Sequence, residues 1–210
     1  MAFSNTRALR IFFLPALATA LVAACSSSDD GGATWTSTDL SAQLAMMVDA
    51  HFFNPMEGFV TGASSTAASA RCVILHTTDG GATWQNAFTS RATGETCWKL
   101  SFPSERVGYA AVLTFGATPS SFIKTTDGGA TWQELPFVTG SYAALGLGFL
   151  TEDIGWIGGE ATGKPAYRTT DGGATWTADT SLGPYINRFR FVNDRLGFAI
   201  GTTIYKLEIP

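Results

Sequence analysis

Charged side chains precede a repeated phenylalanine in this sequence, and their chemistry suits the binding of a charged ligand. Aligned on Phe52, Phe102, Phe149 and Phe191, the positions one and three residues earlier hold His51 and Asp49, Ser101 and Lys99, Gly148 and Gly146, and Arg190 and Arg188. Residues two apart on a strand share a face. We expect the charged ones among them to converge on one site. The alternative is that these charges pair with one another and hold the structure together.

Other arrangements that could carry out catalysis are missing from the sequence. His51 and His76 are the only histidines, and no third ligand stands at a spacing typical of a metal site. No nucleophile elbow or phosphate-binding loop is present, and the Gly-Gly pairs lie between predicted strands instead of before helices. The sequence therefore predicts no catalytic residue, no metal and no cofactor.

Two repeated signals indicate the elements that position the charged residues. The segment Asp-Gly-Gly-Ala-Thr-Trp occurs four times, with steps of 49, 48 and 44 residues. Its aspartates and tryptophans are Asp30 and Trp35, Asp79 and Trp84, Asp127 and Trp132, and Asp171 and Trp176. Each repeated phenylalanine also stands six residues before a glycine that is followed by an aromatic residue. A period of 40 to 50 residues with a recurrent Trp turn is typical of β-propeller blades.

The third repeat shows how the strands divide. Residues 143–150, 155–159, 164–170 and 175–178 read as four strands joined by polar or glycine-rich turns. We therefore predict an all-β fold, a small propeller of about four blades with four antiparallel strands each.

The first Asp-Gly-Gly-Ala-Thr-Trp copy has no strands before it, and the last repeat has no fourth strand. Thr34 to Ser37 are accordingly predicted to form the outer strand of the last blade and close the ring.

The turn resembles the Asp-box, or BNR repeat, of sialidases and many other propellers, as in the run Thr77-Thr78-Asp79-Gly80-Gly81-Ala82-Thr83-Trp84. The resemblance implies structural roles for its aspartates and tryptophans. The carboxylate accepts hydrogen bonds from the turn, glycine permits the backbone geometry, and Trp packs inward. The wider layout is similar to the photosystem II stability and assembly factor family. That similarity implies a propeller that binds proteins, although the family usually has seven blades and photosystem II is not carried over as a partner.

The Asp-box also makes a sialidase-like glycoside hydrolase the main enzymatic alternative. Such an enzyme needs an arginine triad, a tyrosine nucleophile with a glutamate, and an aspartate acid. The Phe-Arg-Ile-Pro or Tyr-Arg-Ile-Pro start of that family is absent, and residues 187–190, Asn-Arg-Phe-Arg, do not match it. We therefore expect a protein that is not an enzyme.

The N-terminus resembles a bacterial lipoprotein signal peptide. Arg7 and Arg10 precede an apolar run over residues 11–24, which is shorter than the about 20 residues of a membrane span. The resemblance implies cleavage after residue 24, acylation of Cys25, a tether over residues 25–32 and a propeller domain over residues 33–210. The alternatives are an ordinary secretory peptide or a buried apolar segment.

Removal of residues 1–24 leaves 11 basic and 17 acidic residues, so the mature chain carries a net charge of −6 and has no general affinity for nucleic acid. In an oxidising compartment Cys72 and Cys97 can form a disulfide, or else they are two buried thiols.

Together these observations predict a lipid-anchored propeller at the cell envelope that binds a protein or a glycan. Sorting to the outer membrane follows if the host has one. A purely structural repeat protein remains an alternative.

Overall fold

Short strands and tight turns make up the chain, as its glycine and aromatic content predicts. The computed structural model describes residues 34–114, 119–159 and 164–209. The chain divides into two units, residues 1–37 and 38–210. In the first unit the described residues 34–37 hold no strand, and Trp35 is 93% exposed. The predicted signal peptide, Cys25 and Asp30 lie outside the described residues.

The second unit contains fifteen strands among the described residues. In chain order they are β1 (Met46–Phe52), β2 (Gly58–Ala63), β3 (Cys72–Thr77), β4 (Gln85–Thr89), β5 (Glu95–Ser101), β6 (Gly108–Thr114), β7 (Ser121–Thr125), β8 (Gln133–Pro136), β9 (Ala144–Phe149), β10 (Gly155–Gly159), β11 (Ala166–Thr169), β12 (Thr177–Asp179), β13 (Ile186–Asn193), β14 (Leu196–Gly201) and β15 (Ile204–Glu208).

Within each sheet every strand pairs with its neighbours in sequence, and every pairing is antiparallel. β1–β4 form sheet I, β5–β8 sheet II, β9–β12 sheet III, and β13–β15 sheet IV. The structure therefore confirms the all-β prediction and the assignment of one meandering sheet to each repeat. The number of blades and the ring closure stay predictions. Residues 34–37 are not assigned to a strand, and sheet IV has three strands in the described part of the chain.

The repeated Phe and Gly are partners across the first hairpin of each sheet. Phe52 pairs with Gly58, and Phe149 pairs with Gly155. A Cβ atom added to Gly58 would lie 2.4 Å from the Phe52 ring, and the other three glycines would meet their phenylalanines at 2.3 to 2.6 Å. The ring covers the glycine, and this packing requires both residue types at a fixed spacing.

Apolar side chains between neighbouring sheets form three clusters. Between sheets I and II, the cluster contains Phe59, Ile74, Val112 and Trp132. Between sheets II and III, it contains Tyr109, Phe122, Tyr142 and Phe149. Between sheets III and IV, it contains Trp156, Ala166, Phe189 and Ala199. Burial of each large side chain stabilises the fold by about 1.5–3 kcal/mol. A fourth cluster places Leu40 and Leu44 against sheet I. The sheets are thus held face to face in chain order, which brings their first strands together.

Candidate functional site

The first strands of the four sheets surround a cavity of about 210 Å³. All five charged or titratable residues singled out from the sequence lie in its lining: Asp49, His51, Lys99, Arg188 and Arg190. Aromatic residues complete the wall, and the ring of Phe102 stacks on the His51 imidazole with centroids 4.7 Å apart. We call this space the inner-strand cavity. The sequence alignment on phenylalanine thus selected residues that share one site.

A β-bulge occurs at the same place in all four first strands. The residue without a register partner lies four positions before the repeated phenylalanine, at Val48, Trp98, Leu145 and Asn187. A bulge bends a strand and redirects the side chains next to it. Asp49, Lys99 and Arg188 each directly follow a bulge, so the repeat itself supplies the geometry that turns them toward the cavity.

Side chains in the cavity wall also join neighbouring first strands. The Oδ2 atom of Asp49 in sheet I accepts a hydrogen bond from the backbone N–H of Leu100 in sheet II, at 3.1 Å. The Oγ atom of Ser101 in sheet II accepts one from the backbone N–H of Phe149 in sheet III, at 3.0 Å. These bonds fix the separation of the strands that form the cavity.

The positive charges of the cavity are not neutralised by ion pairs. Among the described residues, no carboxylate lies within 4.0 Å of the charged nitrogens of Lys99, Arg188 or Arg190. Burial lowers the pKa of Lys99; the carboxylate of Asp49 opposes that effect, and the two arginines add to it. Within the described residues none of these charges forms an ion pair with another at 4.0 Å or less, although the Asp49 carboxylate still interacts electrostatically with Lys99. Three cationic side chains face one carboxylate that is already held by a backbone donor.

His51 is half-buried in the same wall. Burial lowers its pKa, and the nearby Asp49 opposes the change. Loss of water around the ring disfavours the charged imidazolium. The neutral imidazole can accept or donate a hydrogen bond at the cavity, while the three cations carry the charge.

The described strands of sheet III contribute no charged residue to the cavity lining, because atoms of sheet IV fill the space that side chains at Gly146 and Gly148 would need. A Cβ atom on Gly146 would lie 2.8 Å from the carbonyl oxygen of Ile186, and one on Gly148 would lie 2.5 Å from Cβ of Phe189. Both distances are shorter than real Cβ contacts. Glycine at these positions therefore allows sheet IV to approach closely, which brings its two arginines to the cavity.

The three described Asp-box aspartates, Asp79, Asp127 and Asp171, lie in the turns between the third and fourth strands of their sheets, away from the cavity. Oδ1 of Asp79 accepts hydrogen bonds from the Thr77 hydroxyl at 2.8 Å and from the Thr83 N–H at 2.8 Å, and Oδ2 accepts one from the Thr83 hydroxyl at 2.5 Å. The same bonds recur around Asp127 and Asp171. Gly80 and Gly81 have φ of 72° and 86°, a conformation that glycine adopts without strain.

These hydrogen bonds stabilise the ionised carboxylates. The Thr83 hydroxyl, its N–H and the Thr77 hydroxyl lower the pKa of Asp79 to about 2, and the equivalent donors around Asp171, led by Thr175, have the same effect. Both carboxylate oxygens already accept hydrogen bonds within the turn, which indicates a structural role for these aspartates. Proton transfer to a substrate would require those bonds to break.

The tryptophans of the described Asp-boxes pack against other aromatic rings. Trp84 contacts Phe52, Trp132 contacts Phe59 and Phe102, and Trp176 contacts Phe122. Trp132 belongs to sheet II and Phe59 to sheet I, so this turn helps to join two sheets. Trp35 differs from the expected inward packing, since its side chain is exposed.

Cys72 of β3 and Cys97 of β5 are joined by a disulfide, with Cα atoms 4.6 Å apart. Both residues are fully buried. The bond therefore links sheet I covalently to sheet II within their shared apolar cluster.

His76 is accounted for by its neighbours. Its ring stacks on Phe59 with centroids 4.4 Å apart, and its Nε2 lies 3.3 Å from Oε1 of Glu57. Within the described ranges, no group of three or more histidine, cysteine or acidic residues is placed to bind a metal ion. Those ranges also contain no helix with the length and apolar character of a membrane span.

Sequence reasoning missed the bulges and the backbone donors of the cavity wall. A signal for the bulge was present at Ile186 and Phe189, two buried residues that are three positions apart in one strand. Strict alternation would put them on opposite faces, so their common burial requires one extra residue between them.

Comparison with known proteins supports this fold. A model of the BNR/Asp-box repeat matches residues 167–178. Comparison with curated proteins finds no match. Among solved structures, YCF48 bound to a D1 peptide is 17% identical with a TM-score of 0.52, and the alignment covers 76% of this chain and 62% of YCF48.

Two GH74 enzymes are similar at the same level. The enzyme from Niastella koreensis is 18% identical with a TM-score of 0.56, covering 77% of this chain and 28% of the enzyme. The xyloglucanase from Xanthomonas campestris is 14% identical with a TM-score of 0.53, covering 76% of this chain and 27% of the enzyme. The chain thus spans less than two thirds of each of these proteins. At such low identity the likeness shows the fold alone: an all-β, propeller-like protein with a BNR/Asp-box repeat.

Proposed function

We propose that this protein is a non-enzymatic binding module, lipid-anchored at the cell envelope, which holds an acidic group of a protein or glycan in its inner-strand cavity. One observation carries the proposal. Lys99, Arg188 and Arg190 converge on the cavity with no ion pair among the described residues, while the only carboxylate in the wall, Asp49, accepts a backbone hydrogen bond.

The local charge favours an anionic ligand even though the predicted mature chain is acidic. Three cations in a partly buried space repel one another, and a bound carboxylate, sulfate or phosphate relieves that repulsion. Guanidinium groups also present paired donors that match the oxygens of such anions. An acidic partner is therefore attracted to the cavity in particular, and not to the surface in general.

The size of the cavity limits what can enter it. Its volume of about 210 Å³ is below the roughly 300–1,000 Å³ of pockets that enclose whole small molecules. It suits one acidic side chain, one terminal carboxylate or one anionic sugar substituent. The rest of the partner then lies against the surrounding loops.

A glycoside hydrolase is the second candidate, because two of the similar structures are GH74 enzymes. Glycoside hydrolysis generally uses two carboxylates on opposite sides of the scissile bond. The inner-strand cavity has one, Asp49, and the described Asp-box carboxylates are engaged within their turns. This composition favours binding over hydrolysis.

The envelope location rests on the resemblance of residues 1–25 to a lipoprotein signal. Mass spectrometry of the N-terminal peptide from the native host tests it directly. Acylated Cys25 as the first residue is expected, whereas an N-terminus elsewhere would contradict the anchor.

The non-enzymatic role is tested with the purified chain on a panel of fluorogenic sialosides and other glycosides. We expect no turnover above that of a heat-denatured sample. Robust hydrolysis that is lost in Asp49→Asn would contradict the proposal and favour the hydrolase.

A further inference from the structure

A second cavity lies between the outer strands of sheets I and II. It has a volume of about 690 Å³ and shares no lining residue with the inner-strand cavity. Its walls come from β4, from the segment that leads into β5, and from β7 and β8. We call it the outer groove.

Two buried polar atoms in the lining of the outer groove have no hydrogen-bond partner among the described residues. They are Oε2 of Glu95, whose side chain is 1% exposed, and Oγ of Ser121, which is 8% exposed. Buried polar atoms in native proteins nearly always have a partner, since the loss of water is otherwise not compensated. An unpaired carboxylate oxygen and an unpaired hydroxyl in the lining of one groove indicate a place for ligand atoms, which reach these covered atoms once the side chains over them shift.

The indole nitrogen of Trp132 also lies in this lining without a partner, but it is not specific to the groove. Nε1 of Trp176 is unpaired as well, at the equivalent Asp-box position of sheet III. An unpaired indole nitrogen thus occurs in two of the three described turns, while Nε1 of Trp84 donates to the Gly81 carbonyl, and we assign no ligand contact to Trp132.

Glu95 and Ser121 are peculiar to the second repeat. Seven residues before the repeated phenylalanine, the other repeats have Ala45, Tyr142 and Pro184 in place of Glu95. Four residues before the Thr that begins the Asp-box, Val73 and Pro165 replace Ser121. The fold thus does not require a carboxylate or a hydroxyl at these positions. Local departures of this kind are expected at functional sites.

The charges near the outer groove balance one another. Glu134 and Arg91 both line it, and the Arg71 guanidinium interacts with the Glu95 carboxylate. Burial raises the pKa of Glu95 and the neighbouring Glu134 adds to that effect, while a hydrogen bond from the Ser90 side chain and the charge of Arg71 oppose it. With no excess of either sign, the groove favours an uncharged ligand over an ion.

The walls of the groove combine apolar side chains with these polar atoms. Phe88, Trp132, Leu135 and Pro136 provide the apolar surface. A sugar ring has C–H groups that pack on such surfaces and hydroxyls that both donate and accept hydrogen bonds. A hydroxyl can pair with Glu95 in either of its protonation states, and a second hydroxyl can pair with Ser121.

We propose that the outer groove is a binding site for an uncharged sugar, with ring hydroxyls bound to Glu95 Oε2 and Ser121 Oγ and a ring face against the apolar wall. Its volume lies within the roughly 300–1,000 Å³ typical of small-molecule sites. This site is separate from the inner-strand cavity and does not depend on the proposed function of that cavity.

Saturation-transfer NMR and calorimetry test the proposal on the full chain in a non-glycosidic detergent. The probes are glucose, galactose, mannose, N-acetylglucosamine and the β-1,4-linked trisaccharides of glucose, mannose and N-acetylglucosamine, at millimolar concentrations. We expect at least one probe to bind, and Glu95→Leu and Ser121→Val, which remove the bonding oxygen, each to weaken that binding by about tenfold, as the loss of one buried hydrogen bond requires.

The variants separate a binding role from a structural one. Ser121→Val introduces the residue that the first repeat has at this position, so it should fold with an unchanged or higher Tm. Arg190→Gln, in the other cavity, should bind the sugar like the unmodified chain. Two results would overturn the proposal. One is no binding by any sugar probe, and the other is sugar binding that both groove variants leave unaffected.

Discussion

The carboxylate of Asp49 accepts a hydrogen bond from the backbone N–H of Leu100 at 3.1 Å, across the boundary between sheets I and II. One oxygen of the Asp49 carboxylate therefore binds a neutral backbone group, and this bond joins the first strands of the two sheets. Lys99, Arg188 and Arg190 are left without an ion pair among the described residues. The same residue therefore joins two sheets and leaves the positive charge of the cavity available.

Substitution of Asp49 separates these two effects. Asp49→Ala removes the acceptor and should lower the free energy of unfolding by about 1–2 kcal/mol, since the Leu100 N–H loses its partner. Asp49→Asn keeps an acceptor oxygen and should lose less than half as much, measured by urea denaturation. It also removes the negative charge, so capture of an acidic partner should become tighter. An equal loss of stability in both variants would contradict a hydrogen-bonding role.

The Asp-box aspartates predict how stability depends on pH. The pKa of Asp79 and Asp171 is lowered to about 2 from an ordinary value of 3.8, by hydrogen bonds from threonine. A lowered pKa stabilises the folded state above the unfolded value, and this stabilisation is lost as pH falls from about 4 toward 2. Thermal unfolding between pH 2 and pH 5 measures it. The double variant Asp79→Asn/Asp171→Asn should have a lower Tm at pH 5 and a flatter slope below pH 4. Parallel curves for the two proteins would contradict the assignment.

The disulfide between Cys72 and Cys97 closes a loop over a sequence separation of 25. Its removal in Cys72→Ala/Cys97→Ala should lower the free energy of unfolding by about 3 kcal/mol, by the entropy of a loop of this length. Non-reducing mass spectrometry of the purified chain should show a mass lower by two hydrogens than that of the reduced chain. Detection of two free thiols would contradict the bond.

The sequence was sufficient to predict the repeat, the antiparallel sheets and the charged or titratable residues that line the inner-strand cavity. The spacing of Phe52 and Gly58 reports a direct packing contact, and alignment on that contact places Asp49 and His51 on the same face. Such local relations leave a regular trace in the sequence because each repeat must form them again.

Contacts between sheets left weaker traces. The approach of Gly148 to Phe189, the bond from Leu100 to Asp49, and the outer groove at Glu95 depend on how different repeats pack together. Nothing in the spacing within one repeat encodes them. Only the departure of Glu95 and Ser121 from the other repeats marked the groove, and its meaning required the burial of both side chains.

The most direct test of the account is chemical cross-linking on intact cells that carry the unmodified chain, Arg188→Gln/Arg190→Gln, or the matched control Arg195→Gln/Lys206→Gln. The control removes the same charge from exposed positions outside the cavity, and the exposed ion pair of Lys206 with Glu208 that it breaks contributes little to stability. Equal Tm values would show that all three proteins are folded. We expect a reproducible cross-linked partner with the unmodified chain and the control, and its loss by at least about tenfold in the cavity variant, as removal of close charge pairs predicts. The same partner in equal yield with all three chains, or no partner with any, would contradict a binding role for the inner-strand cavity.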